Sequence, residues 1–457
     1  MTEKYPRECR TAKAVYNDVL TGNPLLDALP QEAIPPQDLA SVLKSVPAAP
    51  MDMKSHTPQR KLAELNSLRA YFHPMPYMYR IYTMMLRAIQ TTYSTQSAMD
   101  SIARINSIFR KEPVVYQTQV DSGSILGVPG VGKTSTIIRT LRTMPQVIEH
   151  EVYNGEPFFC KQILYLHISC PADCSIKTVI YNIFQAIDQA IGVNIENMMQ
   201  TSYSQSISAL TMKVKILCMT YHVGVILIDE IQNVVNAAKS KNQVRPLVKF
   251  LVELTNDANT SIYFVGTPLA EELFLSQEHL KRRTRGLRLL PMKPDATYHK
   301  FLYDLWPFQY TDKAAPLNDR IANIIYDHSG GIPAYITKIF QEAQTQAIFQ
   351  NQPCINVKIL QEAIKVLAIE IPNVYPTGVS ISDFEVCGDS QSNFGEYPPD
   401  DECVSDVQQE IPRMYANKRG RKPKEKDASD LVAALEQSVP IGDFIQRNKL
   451  LEERYPC

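Results

Sequence analysis

The sequence has little of two things: long apolar runs and an excess of charge of either sign. Its apolar stretches are short, as in GVILI at 224–228, whereas a membrane-spanning helix needs about 20 consecutive apolar residues. The opening MTEKYPRECR is charged and no apolar segment follows it, so we expect no secretion signal, no membrane contact and a cytoplasmic protein. With 47 Lys and Arg against 48 Asp and Glu, any DNA contact must come from local patches.

Cysteine is also sparse, with nine residues scattered from Cys9 to Cys457. An odd, dispersed count in a 457-residue chain is typical of reduced thiols and argues against a disulfide framework. CPADC at 170–174 brings two cysteines close in sequence, but no second Cys or His pair follows at the spacing of a zinc site. The length of the chain predicts two or three folded units.

Strand and helix patterns alternate through the middle of the chain. The predicted strands are 122–128, 158–170, 223–230 and 260–268, and the predicted helices are 133–144, 175–191, 206–221 and 242–257. The segments VILI and IYFV are apolar at every position, as central strands of a parallel sheet are. We therefore predict an α/β fold in which helices cover both faces of a parallel sheet.

The segments around this core differ in composition. Residues 1–60 are rich in proline and include TGNPLLDALP at 21–30, which either lies extended on its own domain or docks another protein. The α/β core with its preceding helices is predicted over 61–290. A helical lid is predicted over 291–370, where Gly330-Gly331-Ile332-Pro333 separates two of the helices.

The tail, residues 371–457, changes composition twice. Residues 371–410 contain nine acidic residues and no Lys or Arg, which predicts a disordered acidic linker. The basic segment NKRGRKPKEK follows at 417–426, and ASDLVAALEQ after it has the pattern of a short amphipathic helix.

The segment GVPGVGKT at 127–134 fits the phosphate-binding pattern G-x-x-x-x-G-K-[S/T] in full, after a strand and before a helix. Glycines let backbone N–H groups converge on phosphates, Lys133 reaches the β and γ phosphates of ATP, and Thr134 offers its hydroxyl to Mg²⁺. The predicted nucleotide-binding residues are Gly127, Val128, Pro129, Gly130, Val131, Gly132, Lys133, Thr134 and Ser135.

Two carboxylates follow the buried strand VILI. Asp229 is predicted to help hold Mg²⁺, and Glu230 to orient and deprotonate the attacking water. This pair favours hydrolysis over phosphoryl transfer to a metabolite; the alternative is an acidic pair without a catalytic role. Thr267, in VGTP at the end of the next strand, is predicted to position water and sense the γ-phosphate, unless it only forms a turn with Pro268.

A basic cluster, KRRTRGLR at 281–288, precedes the lid. An Arg supplied to a neighbour's γ-phosphate stabilises charge in the transition state, which requires an active site between subunits. Arg282 and Arg283 are our candidates for this role. The alternative is a solvated basic face.

This order of P-loop, acidic pair, polar strand end, Arg cluster and helical lid resembles an AAA+ P-loop ATPase. Four shorter pieces are similar to the TnsC/TniB-type regulators of heteromeric, sometimes CRISPR-associated, transposons: GNPLLDALP, VGTP, LWPFQY and the GIP that opens a lid helix. The resemblance covers about residues 15–370. One departure is that Ala334 and Tyr335 stand where many AAA+ lids place an Arg, with Lys338 as the nearest cation.

The resemblance implies a magnesium-dependent ATPase that assembles as a ring or helical filament on duplex DNA. It implies partners as well: a target-selection protein of the TniQ or TnsD type and a transposase of the TnsA/TnsB type. ATP hydrolysis would then drive disassembly. The alternatives are an AAA+ replication initiator or helicase loader, which an appended winged-helix domain would favour, and a signalling ATPase gated by nucleotide.

Four residues are candidates for DNA binding. Lys177 and Thr178, at a helix start, match the region where TnsC-like proteins face DNA, although Lys177 equally suits an ordinary surface. Arg419 and Arg421, in KRGRKPK, resemble an AT-hook, whose Arg residues lie in a narrow minor groove. Lys422 stands where that motif usually has Pro, so a solvated basic linker remains an alternative.

Overall fold

The computed structural model describes residues 10–110, 120–173, 175–192, 205–234, 244–270, 286–372 and 385–386. By internal contacts the chain divides into two units, residues 1–108 with 113–388 and residues 109–112 with 389–457. Only the helix end at 109–110 is described in the second unit, so the features below belong to the first. Among the described residues, no helix is both long enough and apolar enough to cross a bilayer.

The central sheet has the strand order β5-β6-β7-β2-β8-β9, with every pairing parallel except that of β8 with β9. Its strands are β2 Ser122–Gly127, β5 Tyr165–Ser169, β6 Val225–Asp229, β7 Ser261–Gly266, β8 Leu287–Leu289 and β9 Glu385–Val386. Every residue of β6 and β7 is buried, because these central strands are covered on both faces. The predicted α/β fold with a parallel sheet between helices is confirmed.

Alternate residues of β6 divide the core into two layers. Val225 and Leu227 pack on one face of the sheet, and Ile226 and Ile228 pack on the other, as the two-residue period of a strand requires. The first layer includes α4 Pro76–Ser94 and α6 Lys133–Leu141. The second is formed by α7 Ile176–Ile191, α8 Ile207–Thr220 and α9 Val244–Ala258.

A second, three-stranded sheet has the order β1-β3-β4, with β1 Thr11–Lys13, β3 Val147–Tyr153 and β4 Glu156–Ile163. The single strand predicted over 158–170 is therefore wrong, since the chain leaves β4 at Leu164 and begins β5 at Tyr165. The missed hairpin turns at Asn154 and Gly155, whose φ angles of 51° and 83° are those of a tight Asn-Gly turn.

The N-terminal segment packs on its own domain. It contains α1 Pro24–Asp27, α2 Pro36–Leu43, α3 Pro58–Leu65 and, after α4, α5 Ala98–Arg110. Leu25 is fully buried, and the Asn23 side chain accepts a hydrogen bond from the Leu25 N–H as the cap of α1. The Asn23 amide also donates to the carbonyls of Tyr93 and Gln96, at 2.7 and 3.1 Å. This places GNPLLDALP against the C-terminal end of α4; docking of another protein on this segment stays a prediction.

Between β8 and β9 the described residues form the helices α10 Ala296–Leu305, α11 Asp319–Ser329, α12 Pro333–Phe349 and α13 Val357–Leu367. In LWPFQY, the Trp306 indole donates to the Ala315 carbonyl at 2.7 Å, and Tyr310 N–H donates to Gln344 of α12 at 2.7 Å. Between α11 and α12, a Cβ on Gly331 would lie 2.1 Å from the Met292 carbonyl oxygen, so only glycine fits there. The close contact of Gly331 with Met292 therefore fixes the position of the chain just before α12 begins at Pro333.

Candidate functional site

The phosphate-binding loop connects β2 to α6 at the carboxyl edge of the central sheet. Gly132 has φ of 99°, a left-handed conformation that glycine adopts without a Cβ penalty, and α6 begins at the next residue. At Gly127, a Cβ would lie 2.7 Å from the Leu289 carbonyl oxygen of β8. The loop therefore has the conformation in which backbone N–H groups and a helix N-terminus can face an anion.

Lys133 folds back over the loop. Its Nζ donates to the carbonyl oxygens of Gly127 and Val128, at 2.7 and 3.2 Å. Burial lowers the pKa of the Lys133 ammonium, while the charges of Asp229 and Glu230 act in the opposite direction. The ammonium thus lies beside both predicted carboxylates, where a phosphate can replace the loop carbonyls as its partner.

Asp229 is held as a charged carboxylate at the end of β6. The Thr134 hydroxyl donates to its Oδ2 at 2.6 Å, the Glu230 N–H donates to its Oδ1 at 2.8 Å, and His167 Nε2 lies 3.5 Å from Oδ2. Burial acts to raise the pKa of Asp229, but the interactions with His167, Thr134 and the Glu230 N–H keep it below its usual value. No sequence motif marks His167, which lies on the neighbouring strand β5.

The oxygen atoms of Thr134 and Asp229 suit a magnesium ion. Mg²⁺ usually binds one or two protein carboxylates, several waters and the phosphates of a substrate. Within the described ranges, no group of three or more His, Cys, Asp and Glu side chains forms a metal site of its own. A single carboxylate beside a hydroxyl therefore fits an ion that is bound together with nucleotide phosphates.

Glu230 and Thr267 meet at the same edge because β6 and β7 are neighbours. Glu230 is exposed and has φ of 57°, a left-handed conformation that is uncommon outside glycine. The backbone N–H of Thr267 donates to the side-chain oxygen of Gln232 at 3.1 Å. The structure thus gathers Lys133, Thr134, Asp229, Glu230 and Thr267 around one loop.

Tyr77 is hydrogen-bonded to the phosphate-binding loop from helix α4. Its hydroxyl, at the start of α4, donates to the Val131 carbonyl at 3.1 Å, and the side chain is almost fully buried. Burial raises the pKa of Tyr77 to about 12, so the hydroxyl remains a donor at neutral pH. No sequence motif marks this residue, which is 54 positions from Val131.

Replacing Tyr77 by Phe keeps the ring but leaves the Val131 carbonyl without its partner. We expect ATP binding to weaken about fivefold, since one hydrogen bond contributes about 1 kcal/mol. Titration with a fluorescent ATP analogue measures this. Tyr79→Phe, on the same helix, is the control, because Tyr79 contacts Tyr82 through its ring. Equal affinities for the two variants would contradict a supporting role for Tyr77.

Helix α12, in the predicted lid, contacts the loop directly. Ala334 N–H, in the first turn of α12, donates to the Gly130 carbonyl at 3.2 Å. A Cβ on Gly130, where φ is 83°, would lie 3.1 Å from both the Ala334 Cβ and the Ile332 side chain. Ala334 thus contributes its backbone at the position where many AAA+ lids carry an Arg.

The remaining predicted residues divide into two groups. Lys177 and Thr178 are partly exposed in the first turn of α7, where the Thr178 hydroxyl donates to Asp173 Oδ2 at 2.9 Å. Arg282, Arg283, Arg419 and Arg421 lie outside the described residues. The DNA-binding and trans-acting roles of these six residues stay predictions.

Comparison with known proteins gives one family match. Residues 117–274 match the family model described as AAA domain. Similar solved structures include the Orc1 protein of Aeropyrum pernix in complex with DNA, at 11% identity and a TM-score of 0.38 over 59% of this chain and 64% of that one. A Walker-type ATPase of Pyrococcus abyssi matches at 12% identity and a TM-score of 0.36, over 59% of this chain and 71% of that one.

A third similar structure is the RuvB Holliday junction branch migration motor of Thermotoga maritima. It matches at 15% identity and a TM-score of 0.30, over 59% of this chain and 67% of that one. The match thus spans slightly less than two thirds of Orc1, and no curated protein sequence matches the chain. The conclusion that residues 117–274 form an AAA ATPase domain rests on the family match, the phosphate-binding loop and the acidic pair. The three similar solved structures do not contribute to it.

Proposed function

With an AAA+ ATPase domain at its core, we propose that the chain is an ATP-dependent regulator of transposition. It assembles on duplex DNA, connects a target-selection protein to a transposase, and is released when ATP is hydrolysed. One observation carries the proposal: the two short segments that narrow the resemblance, GNPLLDALP and LWPFQY, are built into this ATPase unit through buried contacts. Asn23 makes three of the hydrogen bonds, and Trp306 and Tyr310 make two more.

The chemistry follows from the residues around the loop. Lys133 binds and neutralises the β and γ phosphates, and Asp229 stays charged while Thr134 orients it. Mg²⁺, when bound at Thr134 and Asp229, would neutralise charge on the phosphates. Glu230 accepts a proton from the attacking water, and Thr267 lies on the next strand to position that water. The acidic pair and the loop together favour hydrolysis.

The DNA contacts are proposed to be electrostatic. Lys177 and Thr178, together with Arg419 and Arg421, would contact phosphates or a minor groove, so binding would depend on salt more than on sequence. The net charge of −1 means that such binding relies on these local residues.

The experiment is electron microscopy of the full chain with duplex DNA and a non-hydrolysable ATP analogue. Rings or filaments on DNA with the analogue, and none with ADP, are expected. A transposase of the TnsA/TnsB type and a target-selection protein of the TniQ or TnsD type should then co-purify with these assemblies. Absence of DNA binding with the analogue would favour a nucleotide-gated signalling ATPase, and capture of a replicative helicase in place of transposase would favour a helicase loader.

The trans-acting role of Arg282 or Arg283 predicts complementation. Arg282→Ala or Arg283→Ala should lower ATP turnover by about 10³-fold or more, the effect of an Arg finger. Mixing with Lys133→Ala protomers should restore part of the turnover, because each variant supplies what the other lacks. The control is a Lys133→Ala protomer that also carries the Arg substitution under test and should restore nothing. Equal turnover in both mixtures would show that neither Arg acts across a subunit boundary.

A further inference from the structure

A side chain that no motif marks connects two of the predicted catalytic positions. The Gln232 amide nitrogen donates to the Glu230 carboxylate oxygen Oε2, and the Gln232 amide oxygen accepts the Thr267 N–H at 3.1 Å. A carboxylate can only accept and a backbone N–H can only donate, so these two partners allow one orientation of the amide. Gln232 is thus a bridge between the end of β6 and the end of β7.

The absence of a side chain at Gly266 makes room for the Gln232 amide. A Cβ on Gly266 would lie 2.5 Å from the Gln232 amide oxygen and 2.8 Å from the Ile231 side chain. Only glycine at 266 therefore leaves room for the amide against β7. The turn that carries Gln232 is fixed as well, since Ile231 N–H donates to the Val265 carbonyl at 3.1 Å and the Asn233 amide donates to the Cys170 carbonyl at 2.9 Å.

Glu230 needs such support because the hydrogen bond from Gln232 is the one that its carboxylate accepts from a side chain among the described contacts. The residue is exposed, while its backbone is fixed by the hydrogen bond from its N–H to Asp229 Oδ1. A free Glu side chain samples several rotamers, and only some of them direct the carboxylate toward a water near the phosphates. Holding one rotamer in advance removes that entropy cost from the reaction.

We propose that Gln232 is a positioning residue for ATP hydrolysis, which holds the Glu230 carboxylate in one rotamer and ties it to the strand end that carries Thr267. A shift of Thr267 on contact with the γ-phosphate would then move Glu230 with it. The inference rests on the proposed roles of Glu230 and Thr267 in hydrolysis. It does not depend on DNA or on transposition partners.

The test is steady-state ATP hydrolysis by the full chain carrying Gln232→Leu. We expect kcat to fall about tenfold to thirtyfold, the factor associated with fixing one Glu side chain, and KM for ATP to change by less than about threefold. Gln350→Leu is the matched control, because Gln350 makes a similar amide-to-carboxylate bond to Glu362 at the far end of α12. Its turnover should equal that of the unmodified chain.

A double-mutant cycle separates positioning from a structural effect. If Gln232 acts through Glu230, then adding Gln232→Leu to Glu230→Gln should change single-turnover hydrolysis by less than about twofold. Gly266→Ala should reproduce the loss in kcat, since its methyl group displaces the amide. Unchanged kcat in Gln232→Leu, or a full additional loss in the double variant, would overturn the proposal. Equal melting temperatures for the variants exclude misfolding as the cause.

The outcomes for the two proposals are distinguishable. Gln232→Leu should still assemble on DNA with a non-hydrolysable ATP analogue, because its effect is on hydrolysis. If the unmodified chain hydrolyses ATP but never assembles on DNA, the transposition role fails and the Gln232 inference stands on its kinetics. If it assembles and hydrolyses while Gln232→Leu has normal kcat, only the inference about Gln232 fails.

Discussion

Lys133→Ala should abolish nucleotide binding, with ATP affinity falling by at least about 100-fold. The estimate counts two charge-assisted hydrogen bonds to phosphate at about 1.5–3 kcal/mol each. In the structure the Lys133 ammonium donates to the Gly127 and Val128 carbonyls, at the position where phosphate oxygens would replace them. Calorimetric or fluorescence titration with ATP measures the loss, and DNA-bound assemblies should disappear with it.

A stability measurement and a control variant test whether the loss of ATP binding could come from unfolding of the protein. Burial lowers the pKa of Lys133, so folding disfavours its charged form, whereas its two hydrogen bonds to the Gly127 and Val128 carbonyls favour the folded loop. The melting temperature of the nucleotide-free variant should therefore be measured beside the titration. The control is Lys249→Ala, since Lys249 is a highly exposed lysine paired with Glu253 on α9. Tight ATP binding by Lys133→Ala would contradict the assignment of the loop.

Glu230→Gln should bind ATP normally but hydrolyse it about 10²–10⁴-fold more slowly, the range for loss of a general base. The amide has the same shape as the carboxylate, and its oxygen can still accept the hydrogen bond from Gln232. The local structure is therefore kept while the proton acceptor is lost. Assemblies formed on DNA with ATP should persist for much longer, as electron microscopy or light scattering over time would show.

The control for this variant is Glu253→Gln, which removes an exposed carboxylate of α9 that pairs with Lys249. It should leave turnover and assembly unchanged, because surface ion pairs contribute little. If Glu230→Gln hydrolysed ATP at the normal rate, Glu230 would not be the base. The same conclusion about Glu230 would follow if the variant failed to assemble on DNA with ATP.

Much of the site was predictable because parallel strands present their carboxyl ends at one edge. The P-loop, Asp229-Glu230 and Thr267 each end a strand in the sequence pattern, and the structure has these strands side by side. Because β6, β7 and β2 are neighbours in the sheet, the three motifs that follow them lie together in one site. This part of the prediction needed only strand periodicity and the motif of the loop.

What the sequence did not reveal depends on contacts between distant segments. Tyr77 lies on a helix before the core and reaches Val131 only because α4 packs beside α6. His167 reaches Asp229 through the pairing of β5 with β6. The hairpin of β3 and β4 was missed for a local reason. Its turn at Asn154-Gly155 comes before the segment 158–170, and within that segment Leu164 separates β4 from β5 without a Gly, Pro or Asn to mark the break.

Helix α4 contacts both the nucleotide loop and the N-terminal segment. Tyr77 lies under the nucleotide loop at one end, and Tyr93 at the other end bonds to Asn23 of the N-terminal segment. The two tyrosines are sixteen positions apart on the helix, a distance of about 24 Å. One continuous helix therefore contacts both the nucleotide loop and the N-terminal segment, so a shift of α4 along its axis would change both contacts at once.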